Sequence, residues 1–136
     1  DLMLEERVLD LPMREADVAI RMKEPSQADL IRRKLMSVHM RLYATPEYLE
    51  KHGVPETLED LSKHRLICQN VTATQVSAGA QLVKELLTYD IPNTLTVNNY
   101  FGVLQAVNAG LGVGVLPDYL TEDFPDIRRV LPEVTS

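Results

Sequence analysis

Apolar and polar side chains alternate without a break from residue 36 to residue 45. Met36, Val38, Met40, Leu42 and Ala44 hold one parity; Ser37, His39, Arg41, Tyr43 and Thr45 hold the other. A repeat of two is that of an extended chain, so the segment predicts a strand with one buried and one polar face. It runs directly into Thr45-Pro46-Glu47. A hydroxyl N-cap, a proline at the first helical position and an acid in the first turn predict a helix start there. That helix carries Tyr48 and Leu49 and is expected to stop at Gly53, with Pro55 two residues beyond.

The same reading continues along the chain. Thr57-Leu58-Glu59-Asp60 predicts a second capped start, a capping box in which the shorter Asp stands where Glu is usual. A brief helix and then a strand over 65–69 are expected. Between residues 76 and 87, Ala78, Leu82 and Leu86 recur every four positions, with Val83 and Leu87 beside them. That spacing predicts an amphipathic helix. Ile91-Pro92-Asn93 breaks it, and Thr94–Val97 alternates as a strand. Tyr100, Val103, Leu104, Val107 and Leu111 share one helical face, with Asn98 or Asn99 placed to cap its start and Gly110 to end it. Residues 112–116 then form a short buried strand, and Pro117 opens another brief helix. Upstream, the apolar run at 16–22 predicts a strand. Val8, Leu9 and Leu11 suggest a short helix, its helical part from about Asp10 to Glu15 because Pro12 fits only in a first turn. Strands alternating with helices point to an α/β fold with parallel pairing.

Composition narrows the classes. At 136 residues and 45% hydrophobic, the chain can bury a real core in one globular unit or two small lobes. No apolar run approaches the ~20 residues of a membrane-spanning helix, and the acidic start lacks the basic and apolar regions of a signal peptide. A single cysteine, Cys68, excludes an intrachain disulfide framework and leans toward a reducing compartment. The formal charge of -6 is unevenly spread. Residues 1–42 balance eight acids with eight bases, whereas residues 43–136 carry twelve acids and six bases. The second part is therefore a poor surface for gripping nucleic-acid phosphates.

Chemistry-bearing motifs are sparse. His39, His52 and His64 lie far apart without metal-ligand spacing, and no nucleophile elbow is present. Cys68 sits in an apolar strand and reads as a small buried hydrophobe. The glycines at 110, 112 and 114 follow a helix and precede a strand, the reverse of a dinucleotide-binding loop, so they read as a helix end and a tight passage into the strand. No cofactor, metal site or catalytic carrier is expected.

Three segments carry a family resemblance: READVAIRM, LYATPEYLEKHGVPETLEDLSKHRLI and VNNYFGVLQAVNAGLGVGVLPDYL. Together they resemble the effector-sensing domain of LysR-type transcriptional regulators, from about Asp10 to Val130. The middle and last are the specific ones, since order, spacing and caps agree. The resemblance implies a two-lobed fold similar to type 2 periplasmic binding proteins, with two crossovers. Residues 1–42 would be part of lobe I, residues 43–136 nearly all of lobe II, and the strand at 36–45 the first crossover. It also implies lobe I elements before Asp1 and after Ser136, and an N-terminal winged helix-turn-helix that touches DNA. The chain is accordingly expected to be a fragment, with unpaired edges on its lobe I strands.

The same resemblance implies a small-molecule cleft between the lobes. Helix starts offer free N–H groups and a dipole suited to an anion, so Thr45 and Asn98/Asn99 are candidate ligand residues, expected to face one shared hollow. Each could equally only cap its own helix. Asn70, after its strand, is a third candidate or an ordinary turn residue. Arg21 could reach an anionic effector or form a surface ion pair. The expected protein is a cytoplasmic, non-enzymatic sensor that binds a small metabolite, self-associates as a dimer or tetramer, meets DNA only through the helix-turn-helix domain, and has no membrane partner. The alternative is a periplasmic solute-binding receptor of the same fold; codons upstream of Asp1 would separate the two. An enzyme on this scaffold ranks third, for want of reactive groups.

Overall fold

A computed structural model describes residues 1–3, 16–22, 24–72, 74–75 and 77–136. The chain divides into two compact units, Asp1–Arg33 and Lys34–Ser136. In the first unit the described residues form neither helix nor strand. The strand expected over 16–22 is therefore not formed, and Val18, Ile20 and Met22 are exposed. A strand is completed by a neighbour's ladder of backbone hydrogen bonds, and no such ladder forms on this run among the described residues. The helix expected at 10–15 lies outside the described residues.

The second unit is built on five strands: β1 (Met40–Ala44), β2 (Arg65–Gln69), β3 (Asn93–Val97), β4 (Val113–Pro117) and β5 (Arg128–Thr135). Three helices, α1 (Pro46–His52), α2 (Ala78–Leu86) and α3 (Tyr100–Asn108), connect them with two 3-10 turns, Glu59–Lys63 and Asp118–Thr121. The caps expected from the sequence are present. Thr45 accepts from Tyr48 N and Asn99 from Gly102 N, while Gly53 and Gly110 have φ of 86° and 75°. At the first 3-10 turn Thr57 Oγ1 accepts from Asp60 N, and the Asp60 carboxylate accepts from Thr57 N, a reciprocal capping box.

Sheet order is β3-β2-β4-β1-β5. The pairings β2·β3 and β2·β4 are parallel, but β1 runs antiparallel to both β4 and β5, so the sheet is mixed rather than parallel. The strand expected over 36–45 starts only at Met40, leaving Met36 exposed. Its expected polar face is also covered: Tyr43 is as buried as Met40, because β1 is an inner strand with packing on both sides. β5 had no counterpart in the sequence reading. Its pairing jumps from Leu42↔Val130 to Arg41↔Thr135, and Leu131 adopts φ 47° in the excursion. That backbone costs roughly 1–2 kcal/mol, offset by sealing the Leu131 side chain in the core.

Two apolar layers sandwich the sheet. Leu42, Leu66, Cys68, Val113 and Val115 meet α1 and α2 on one side; Tyr43, Ile67 and Leu116 meet α3 on the other. The parity of two sends successive strand residues to opposite layers.

Candidate functional site

Because β1 opposes β4, and β4 runs with β2 and β3, the sheet has two distinct edges. At the carboxyl edge lie the ends of β2, β3 and β4, the start of β1 and the end of β5. Asn70, Asn98 and Asn99 are all found here. Asn70 N donates to Val97 O (2.9 Å), and Gln69 Nε2 donates to Asn98 O (3.1 Å). Asn99 Nδ2 donates to Asn98 Oδ1 (2.9 Å), while Asn99 Oδ1 accepts from Gly102 N (2.8 Å). The Asn98 amide nitrogen and the exposed Asn70 amide are directed by no bond among the described residues.

Helices that follow parallel strands run back across the sheet, so α2 and α3 both begin at this edge. A Cβ built at Gly79, in the first turn of α2, would stand 3.1 Å from both Met40 Cγ and Tyr100 Oη. Tyr100 thus reaches from the start of α3 to the start of α2. Burial, chiefly, raises its pKa, so the hydroxyl stays protonated and can donate. The two helix starts leave unpaired N–H groups at Ala78, Gly79, Tyr100 and Phe101, beyond those taken by the Ser77 and Asn99 caps.

The charged group at this edge was not foreseen. Asp118 accepts from His39 N (3.2 Å) and Tyr119 N (3.0 Å), and faces His39 Nδ1 (3.4 Å) and Arg41 Nη2 (4.0 Å). Burial pushes the Asp118 carboxyl up, but the His39 bonds and the Arg41 charge outweigh it and hold the pKa down. Met40 N donates to Ser136 Oγ (3.0 Å), tying the two ends of the unit together beside it. These residues are separated by up to 97 positions, and no local signal could have joined them.

Thr45 lies at the opposite, amino edge. The expectation that Thr45 and Asn99 open on one hollow is overturned, and the reason is the antiparallel β1, which carries its carboxyl end the wrong way. Five strand residues, about 16 Å, separate the edges. Thr45 is buried and its hydroxyl is taken by Tyr48 N (3.3 Å). Arg21 belongs to the first unit, where it is half-buried and engaged.

The amino edge holds a pocket of about 310 Å³ between α1, the first 3-10 turn and the starts of β2 and β3. Tyr48 Oη and His64 Nδ1 are 2.8 Å apart, and the Tyr48 ring stacks on His52 with centroids 4.5 Å apart. Burial lowers the His64 pKa, helped by the charges of His52 and Lys63 and opposed by Asp60. An unfolded His titrates near about pH 6.5. Stability from a depressed His is complete above that value and is lost as pH falls through it, because only the unfolded state then binds the proton. Thermal scans down the series from about pH 8 to 5 should show a falling Tm, and His64→Gln should flatten that fall. An unchanged slope in the variant would assign the loss elsewhere.

Among the described residues no cluster of three or more His, Cys, Asp or Glu could hold a metal, and no helix is long and apolar enough to cross a membrane. Cys68 is buried, and burial raises its thiol pKa.

A family model described as the LysR substrate binding domain matches residues 1–136. Among curated relatives, the probable HTH-type transcriptional regulator LtrA of Klebsiella pneumoniae is 30% identical over 135 residues, 97% of this chain and 44% of that protein. The HTH-type transcriptional regulator CrgA of Neisseria meningitidis is 29% identical over 132 residues, 96% of this chain and 44% of its length. The chain thus spans less than half the length of these relatives. Among solved structures, the CrgA regulatory domain superposes with a TM-score of 0.64 at 24% identity, covering 85% of this chain and 58% of that one. The AphB regulatory domain of Vibrio vulnificus, treated with cumene hydroperoxide, gives 0.60 at 25% identity, covering 81% and 57%. Both curated relatives bear the description of HTH-type transcriptional regulators, LtrA as a probable one.

Proposed function

We propose a function from one premise: the chain belongs to the LysR substrate binding domain family. Residues 43–136 act as lobe II of an effector-sensing domain, and residues 1–42 contribute to the complementary lobe. A small metabolite binds against the carboxyl edge, held by Asn70, Asn98 and the unpaired N–H groups that open α2 and α3. Those N–H groups make no hydrogen bond among the described residues, and Asp118 spends its carboxylate on His39 and Tyr119, so the ligand presents carboxylate or phosphate oxygens to them. Asn99 positions the start of α3 through its cap, while Thr45 serves its own helix at the far edge and has no part in effector binding.

The observation that carries this reading is the convergence of two helix starts, the unengaged Asn98 amide nitrogen and the unengaged Asn70 amide on one edge. The effector shifts the lobe geometry of a cytoplasmic dimer or tetramer, which passes the change to an N-terminal winged helix-turn-helix. A ligand can do that only through differential affinity, and a full switch requires roughly 5 kcal/mol.

The test uses the full-length regulator and a panel of small carboxylates and phosphorylated metabolites. At a hundredfold excess over Kd, a true effector stabilises by about 2.7 kcal/mol, visible as a raised Tm. Asn70→Ala and Asn98→Ala should each weaken it about fivefold, the worth of one net hydrogen bond. Asn99→Ala should cost about 1 kcal/mol of stability in urea unfolding, and Asn99→Ser, which retains a cap, only a few tenths. The reading fails if every ligand bound at this edge leaves operator affinity unchanged.

A further inference from the structure

The pocket at the amino edge stands apart from the effector reading. In a chain with 20 acids against 14 bases, no acidic side chain lines it. Lys63, Arg65, His52 and His64 do, with Ser62 beside them. Lys63 forms no ion pair among the described residues. Arg65 Nε donates to Asn93 Oδ1 (3.1 Å), which orients the guanidinium and leaves both terminal nitrogens available. Such a fork suits the paired oxygens of an oxyanion.

From this cluster we propose a second ligand site, specific for a phosphate-type dianion, in which the Arg65 fork and the Lys63 ammonium supply the two permanent charges. Ser62 and the His64 ring add neutral donors. The Tyr48 hydroxyl occupies His64 Nδ1, so the ring's N–H belongs on Nε2 when the imidazole is neutral. Burial keeps Tyr48 protonated, against the pull of the Arg65 backbone N–H and charge, which fits Tyr48 as the donor of that bond. The ionisable groups facing the imidazole are His52 on α1, and Asp60 and Lys63 on the 3-10 turn. Asp60 spends its carboxylate on the backbone N–H groups of Glu56 and Thr57, so it competes little for the cations. Two full charges favour a dianion over a monoanion, and the volume of about 310 Å³ accepts a phosphoryl group with a small substituent.

Calorimetric titration of the full chain with sodium phosphate, and separately with sodium acetate at matched ionic strength, tests the site. Saturable one-to-one binding of phosphate is expected, with acetate at least tenfold weaker. Lys63→Gln and Arg65→Ala should each weaken phosphate about tenfold, the loss of one charge-assisted contact. Lys63 is exposed on a turn, so its variant stays informative if Arg65→Ala unfolds. Lys34→Gln removes the same charge outside the pocket and should leave affinity intact. Absence of saturable phosphate binding, equal affinity for acetate, or an equal loss in Lys34→Gln would each overturn the proposal. Phosphate can also meet the donors of the carboxyl edge, but Lys63 and Arg65 lie at the amino edge, so their variants assign the binding to this pocket, and failure here leaves the effector reading standing.

Discussion

Leu42→Ala is expected to cost about 2–5 kcal/mol of stability. Leu42 is fully buried at the centre of β1 and has no exposed atom to give back to water. Its neighbours in the ladder are Val115 of β4 and Val130 of β5, so three strands converge on the same side chain. Their backbones are locked together by hydrogen bonds, and the walls of the new cavity cannot move inward to close it. At about 4–8 °C per kcal/mol for a unit of this size, the Tm should fall by roughly 8–40 °C. Urea unfolding should show a lower midpoint with an unchanged slope. Leu35→Ala removes the same side chain at an exposed position and should stay within about 0.5 kcal/mol. If Leu42→Ala lost less than about 1 kcal/mol, β1 would not hold the central place assigned to it.

Gly114→Ala is the second large effect, and it acts by crowding. A Cβ at Gly114 would lie 2.1 Å from Val107 Cγ2 and 3.4 Å from Val103 Cγ1, both fully buried on α3. The helix must lift from the sheet or the strand must sink, at a cost of about 1–3 kcal/mol. Since Asn99 caps α3, lifting the helix also displaces the donors proposed for the effector, so affinity should fall together with stability. The double variant Gly114→Ala, Val107→Ala removes the overlap. It should be less destabilised than the two single losses combined, with a coupling of about 0.5–3 kcal/mol measured by a double-mutant cycle. Strict additivity would mean that α3 does not sit where the contact places it.

Which parts were legible in advance follows from distance along the chain. Thr45 to Tyr48 and Asn99 to Gly102 are bonds spanning three residues, so the cap residue and its partner are written side by side. β2 appears at the bounds expected, because its apolar run is bracketed by a turn and a loop. The expected strand at 16–22 failed for the opposite reason. An apolar run states that it can be buried, but pairing is a property of its neighbours. β5 escaped notice because Pro132 and the kink at Leu131 interrupt its alternation.

The residues proposed for binding divide along the same line. Asn70, Asn98 and Asn99 were marked by their own strand ends, and parallel pairing of β2 and β3 brings them together. Asp118 and His39, 79 residues apart, and the histidines around Tyr48 had no such marker.

The sequence by itself determined the helix starts and stops, the parity that sends side chains to two layers, and the family. Those are set by contacts within a few residues or by patterns that survive reading in one dimension. Only the tertiary structure decided the direction of β1, because Met40–Ala44 satisfies its alternation equally well beside a parallel or an antiparallel partner. Pairing with β4, more than seventy residues away, makes that choice. It separates Thr45 from the asparagines, gathers the donors at one edge and leaves the cations at the other.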